Sequence, residues 1–345
     1  MEGNHMRCRR VAMLVAPACS GANQLQSNED GITTVRISAA QTFNTALPSL
    51  LVEGDFPRQF GLDFERVDIA GSGSSNQLAA VLSGDADLAG AGSNSAIDAF
   101  LSGADVQIIA SYGEAIQSLV VSNAAIQEFG VDVTASPIDR VRALRGMTIA
   151  SSPPGSAGNA QLRVVLSDAG LDLERDVTLV PLADSNGAVA AGLERGSFDA
   201  TWATAGSGEV VVARDKATRL ISVPAGEAPA LDGYVCNVIF APTRFIEQHQ
   251  DVVDRIRQAL AEATRLTQDE PQRAGEILKK SVFSGMDPAV FDLAWSQAVK
   301  GYRLGNTFTR DDWDAFVRFF DKYSDHDYAA ANYDDFINSV ARGEG

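Results

Sequence analysis

Histidine, cysteine and cationic side chains are scarce in this chain of 345 residues, and each shortage removes a class of function. The histidines are His5, His249 and His326, and none falls in a loop that the sequence places at a strand end. No Ser/His or Cys/His pairing of nucleophile and base is therefore visible. Of the three cysteines, Cys8 and Cys19 lie near the start, leaving Cys236 alone in an apolar stretch at 234–241. That excludes a disulfide framework and a zinc-ligand spacing, and Cys236 reads as a small buried hydrophobe. Twenty-eight Lys and Arg face 45 Asp and Glu, a formal charge of −17. So acidic a chain argues against nucleic acid as partner, because phosphate binding needs clustered Lys and Arg. The run Gly71-Ser72-Gly73-Ser74-Ser75 has neither the lysine of a P-loop nor the glycine spacing of a dinucleotide site. Asp85 and Asp87, with no histidine beside them, read as a solvated turn and a packing contact.

Long apolar runs are missing too. The longest at the start, 11–18, is too short to span a bilayer. It follows Arg7, Arg9 and Arg10 and leads into Ala16-Pro17-Ala18-Cys19, the charge, apolar core and small residues of an export leader. The same residues resemble a lipobox with Cys19 as the lipid acceptor. A plain N-terminal extension is the alternative. The expected location is periplasmic or extracellular, with Cys19 as the anchor if lipidated.

What is present is a unit that occurs twice: polar turn, short apolar helix, glycine, aspartate-bearing strand. The copies read GSGSSNQLAAVLSGDADLAG from Gly71 and DSNGAVAAGLERGSFDATW from Asp184. Glycine closing a helix reaches the left-handed cap conformation freely, so Gly84 and Gly196 mark the helix ends. Around these copies, period-two strands alternate with helices: strands at 34–40, 62–69, 86–91 and 106–111, helices at 46–53, 76–82 and 96–101. The alternation predicts parallel, doubly wound sheets. Further strands are expected at 118–122, 147–150, 177–181, 220–223 and 235–241, with a helix at 160–169. Those at 118–122 and 235–241 read as crossings between two lobes. From Thr243 the chain is helical, with Asp287 capping, a Thr309/Asp312 capping box and a helix at 333–340 after Asn332. The expected division is a leader and tether over 1–32, a discontinuous first lobe over 33–120 with 230–345, and an inserted second lobe over 121–229.

The opening strand with Gln41-Thr42-Phe43, the runs LAAVLSGDADLAGAGSNSAIDAFLSGADVQIIAS and LRGMTIASSPPGSAGNAQL, then AGLDLERDVTLVPL and LERGSFDATW, resemble one family in order and spacing. It is that of the extracytoplasmic solute-binding proteins of ABC importers, in the nitrate/sulfonate/taurine class that also includes thiamine-pyrimidine binders. The resemblance covers about residues 33–325. It implies an α/β, two-lobed, periplasmic-binding-protein-like (type II) clamshell with a helical C-terminal segment. It implies a monomer, without cofactor or metal, that hands a small-molecule solute to ABC permease membrane subunits. The ligand-binding positions it implies are Gln41, Thr42 and Phe43; Gly73 and Ser74; Ser93, Asn94 and Ser95; Gly155 and Ser156; Trp202; and Tyr234. Asn159 stands where many relatives carry a histidine.

Ser74, Ser95 and Ser156 each precede an apolar helical run and can cap it, leaving nearby backbone N–H groups for an anion. Phe43, Trp202 and Tyr234 offer an apolar wall, and Glu114 reads as a surface carboxylate. No proposed loop holds a basic residue. The expected ligand is a small organic anion such as an alkyl sulfonate or taurine. A neutral heteroaromatic such as a thiamine pyrimidine, and a biosynthetic enzyme of the same fold, are the alternatives.

Overall fold

A computed structural model describes residues 25–69, 73–154, 156–182, 186–303, 305–320 and 327–343. Residues 1–24, which hold Cys19 and most of the expected leader and tether, and Gly155 lie outside them.

Eleven strands form two sheets among the described residues. They are β1 (Gln26–Ser27), β2 (Thr33–Ala39), β3 (Leu62–Arg66), β4 (Leu88–Gly92), β5 (Val106–Glu114), β6 (Gln117–Ser122), β7 (Thr148–Ser151), β8 (Thr178–Pro181), β9 (Ala200–Thr204), β10 (Ala217–Ser222) and β11 (Val235–Pro242). The first sheet runs β1-β2-β4-β11-β5 with β3 beside β2, and the second runs β10-β6-β9-β7-β8. Sequence alone predicts parallel pairing throughout. In the structure, β2 pairs in parallel with β3 and β4, and β7 with β8 and β9, but β11 and β6 run antiparallel to their neighbours. The reason is topological. Apart from the two-residue β1, which runs antiparallel to β2, each reversed strand is the first one laid down after the chain changes sheet: β6 follows β5 across two residues, and β11 follows β10. A chain that leaves one sheet at the end where its strands finish enters the facing sheet from that same end, against the local strand direction.

Local sequence sets most elements. The helix Ala46–Glu53 spans the residues that its apolar run predicts. Gly84 and Gly196 take φ of 84° and 68° and end their helices. The carboxylate of Asp287 accepts the N–H groups of Ala289 and Val290, and Thr309 and Asp312 cap each other reciprocally, the Thr309 N–H reaching Asp312 at 2.7 Å. The expected helix 333–340 stops early, at Phe336. Ile337 turns extended, is fully buried and forms a bridge with Ile108 of β5, so tertiary pairing overrides helical continuation.

The helix Gln250–Asp269 buries Val252, Val253, Ile256, Ala259, Leu260 and Ala263, a stripe at three- and four-residue spacing. That stripe packs with Leu47, Leu50 and Leu278 against one face of the first sheet. A second core takes in Leu119, Leu162 and Leu166 together with the aromatic side chains Trp313, Phe316 and Phe320 of the helix Arg310–Phe320. Among the described residues, no helix is long and apolar enough to cross a membrane.

Candidate functional site

A cavity of about 640 Å³ lies where the strand ends of the two sheets face each other. Residues following β2, β4, β7 and β9 border it through Gln41, Asn94, Ser152 and Ala205. The reversed strands border it from their beginnings, through Gln117 of β6 and Cys236 and Asn237 of β11. Strand direction and site are thus one fact: every strand named here either ends or starts at the cavity, the position at which open α/β sheets hold ligands.

Helices leave the cavity in the same sense. Those at Ser74–Ser83, Ser93–Leu101 and Ala157–Asp168 start at its wall, with Gly73, Gly92 and Ser156 as their N-caps. Their first N–H groups have no carbonyl partner within the helix, and the helix dipoles add partial positive charge there. Of the three serines expected to cap, only Ser156 does, accepting from the Asn159 N–H at 3.3 Å. Ser74 instead accepts the Gly92 N–H at 3.2 Å, tying two helix starts together, and Ser95 sits inside its helix.

Phe43 shapes one wall. Its ring is buried, stacks on Phe283 at 4.3 Å and faces Gly206, where a Cβ would come within 2.9 Å of it. Gly206 has φ of 100°, and its N–H is held by the buried carboxylate of Glu209 at 2.7 Å, which also pairs with Arg219. Asn44 donates to Thr204 of β9 at 3.3 Å, so the walls contributed by the two sheets touch.

Lys, Arg and His are absent from the described residues bordering the cavity. Among the described residues Asp98 is the carboxylate that borders it, and it accepts a hydrogen bond from the Tyr328 hydroxyl. Cys236 is buried, and burial pushes its thiol up to about 11, against weaker opposing hydrogen bonds from Tyr234 and Gln161. Among the described residues, no group of three or more His, Cys, Asp or Glu could hold a metal ion.

Of the positions expected from sequence, Gln41, Thr42, Phe43, Gly73, Ser74, Asn94, Ser95 and Ser156 border the cavity. Ser93, Trp202 and Tyr234 do not. Ser93 is fully buried and donates to the Val235 carbonyl at 2.7 Å, fastening its helix to β11. Trp202 lies inside β9, in register with Leu119, and its side chain enters the core beneath the covering helices. Tyr234 stacks on Phe319 at 4.5 Å within the C-terminal aromatic cluster. Glu114 lies at the end of β5 near Arg303, 3.7 Å away, and does not border the cavity. Asn159 is buried and its Oδ1 accepts from Arg163.

Sequence reasoning missed Gln77, Asp98 and Gln117, which border the cavity, and Phe283 and Met286 from the C-terminal part. Helical spacing reaches the first two, since Gln77 follows Ser74 by three residues and Asp98 follows Asn94 by four. Gln117 needs the reversal of β6, and Phe283 needs the long-range packing on Phe43.

Two facing α/β sheets with helix N-termini around a cavity between them define the architecture of the periplasmic binding proteins. Residues 55–274 match the NMT1/THI5-like family, and the chain belongs to that family. The resemblance read from its motifs pointed the same way. Solved structures share the fold. A protein of Bordetella bronchiseptica RB50 is 20% identical, with a TM-score of 0.67 over 88% of this chain and 94% of that one. The alkanesulfonate-binding protein SsuA of Xanthomonas axonopodis pv. citri, bound to MOPS, is 22% identical, with a TM-score of 0.56 over 76% and 83%. The periplasmic aliphatic sulphonate binding protein SsuA of Escherichia coli is 17% identical, with a TM-score of 0.59 over 77% and 83%. No curated protein matches the chain in sequence.

Proposed function

We propose that this protein is the extracytoplasmic solute-binding component of an ABC importer, taking a small organic anion of the alkyl sulfonate or taurine kind and presenting it to a membrane permease. The observation that carries the reading is the convergence of three helix N-termini on one cavity that no Lys, Arg or His borders among the described residues. Backbone N–H groups and hydroxyls then supply the anion's hydrogen bonds. The family and the sulfonate-binding structures that share the fold support the same direction.

The two sheets support a division into lobe 1 (33–120 with 230–345) and lobe 2 (121–229), which close on the solute about the paired connections. In this reading the protein acts outside the cytoplasm as a monomer, either released by cleavage of the leader or attached to the membrane through a lipid on Cys19, and performs no chemistry on its guest. A second reading, a neutral heteroaromatic ligand, is favoured by the Phe43–Phe283 wall and by the Asp98 carboxylate.

Thermal-shift screening of the purified protein against alkyl sulfonates, taurine, nitrate, carboxylates and pyrimidines tests the choice. A true ligand at 100 times its Kd stabilises the native state by about 2.7 kcal/mol and raises the melting midpoint by several degrees. Stabilisation by pyrimidines and not by sulfonates reverses the order of the two readings. Conversion of a stabilising compound into a new product overturns the receptor itself.

A further inference from the structure

Two carboxamides at the cavity have no assigned work. Gln77 is 1% exposed, and neither its Nε2 nor its Oε1 has a hydrogen-bond partner among the described residues. Gln117 is 6% exposed, and its Oε1 is likewise buried and unpartnered. Both border the cavity. Buried amides are normally satisfied, because each unpaired donor or acceptor keeps its full desolvation cost. Asn44, whose Nδ2 donates to Thr204, also leaves a buried Oδ1 unpartnered at this cavity. Unsatisfied amides gathered at one cavity are what a protein retains when a guest completes them, and Gln77 and Gln117 are the two whose side chains have no hydrogen-bond partner among the described residues.

Their origins differ. Gln77 comes from the helix Ser74–Ser83, one turn beyond the Ser74 that contacts Gly92. Gln117 opens β6 in the other sheet, in register with Thr204, the residue that meets Asn44 across the cleft. A guest bonded to both amides is therefore bonded to both halves of the fold, beside the point where they already touch.

The chemistry of the guest follows from what the wall can accept. Helix N-termini supply donors only. The amide oxygens and the Asp98 carboxylate are acceptors, and an amide turned either way still presents one acceptor to be filled. Nitrate and plain alkanesulfonates carry no N–H and leave the oxygens of the Gln77 and Gln117 amides bare. We propose that Gln77 and Gln117 are specificity-determining residues that read an N–H-bearing group on the ligand, so that the site takes a bipolar solute with an acceptor-rich head and an N–H donor in one small molecule. The inference rests on the cavity being the solute site proposed above.

The test is isothermal titration calorimetry with two matched pairs, taurine against ethanesulfonate and 4-aminopyrimidine against pyrimidine. The parent protein and the Gln77→Met and Gln117→Met variants are each titrated. The expected result is that the N–H-bearing member of at least one pair binds tenfold or more tightly than its partner. Each variant should then lose most of that preference. Met fills the same volume without polar atoms, so both unliganded variants should melt no lower than the parent, which a purely structural glutamine would not allow. Equal binding of the paired compounds, or an undiminished preference in both variants, overturns this inference and leaves the solute-binding reading standing. No binding by any of the four at millimolar concentration overturns both.

Discussion

Asp87 grips Arg36 three ways: its carboxylate accepts the Arg36 backbone N–H at 2.8 Å and its guanidinium at 2.7 Å, while its own N–H donates to the Arg36 carbonyl at 2.9 Å. The second sheet repeats the backbone part. Asp199 accepts the Thr148 N–H at 2.7 Å and donates to the Thr148 carbonyl at 2.8 Å. Each aspartate immediately precedes the strand that its neighbour flanks in parallel, so it ends the pairing of β2 with β4, or of β7 with β9, with a side chain in place of a ladder bond. Asp87→Ala strands an N–H and half-frees a guanidinium. It should cost about 2–3 kcal/mol in urea denaturation, and Asp199→Ala should cost less, having no ion pair among the described residues to lose. An equal loss in both variants would remove the Arg36 ion pair from the explanation.

The recurrence of this contact shows how far local sequence reaches. The repeated helix, glycine and aspartate could be read directly, because cap glycines and period-two strands are local signals. Eight of the twelve expected site positions border the cavity, since loops at strand ends must meet there. The others turn on tertiary facts, apart from Gly155, which lies outside the described residues. Trp202 faces the core because a strand flanked on both sides has only its two sheet faces, and helices cover the face that this side chain takes. Tyr234 finds Phe319, which lies 85 residues later in the chain and has no local signature. The antiparallel strands β6 and β11 look like any others in sequence. Their direction is set by the change of sheet, and with it the placement of Gln117.

Gly206 is the position where a single methyl should matter most to the cleft. Its left-handed φ of 100° disfavours any side chain, and the new Cβ would press on Phe43, which is clamped between it and Phe283. Gly206→Ala should destabilise the fold by about 1–3 kcal/mol through strain and overpacking. Because Phe43 borders the cavity, ligand affinity should fall as well. Chemical denaturation and calorimetry on the same variant separate the two effects. Unchanged affinity would mean that the Phe43 wall does not contact the ligand.

Cys236 should behave as a packed apolar group. With its thiol pushed up to about 11, only about one molecule in a thousand carries the thiolate at pH 8. Peptide-mapped iodoacetamide labelling should therefore leave Cys236 unmodified in the native protein and modify it fully in guanidinium. Rapid native labelling would show that the cavity opens to solvent at β11 and lowers the desolvation that holds the thiol neutral.

Glu114 provides a test by pH. Burial holds its carboxyl above the usual glutamate range, with the nearby Arg303 only partly opposing and Asp232 and Asp312 adding to the rise. A carboxyl whose folded pKa is raised favours the folded state when protonated. That contribution is fully present below the ordinary glutamate pKa and disappears as pH climbs through the raised value. At neutral pH the ionised Glu114 is thus a burden on the fold. Arg303 keeps Asp312 at 2.7 Å when Glu114 is removed, so no cation is orphaned. Glu114→Gln should be more stable than the parent at pH 7, with the advantage shrinking towards pH 4, as read by urea denaturation at both pH values. A variant less stable at pH 7 would show that the Arg303 attraction outweighs desolvation at this site.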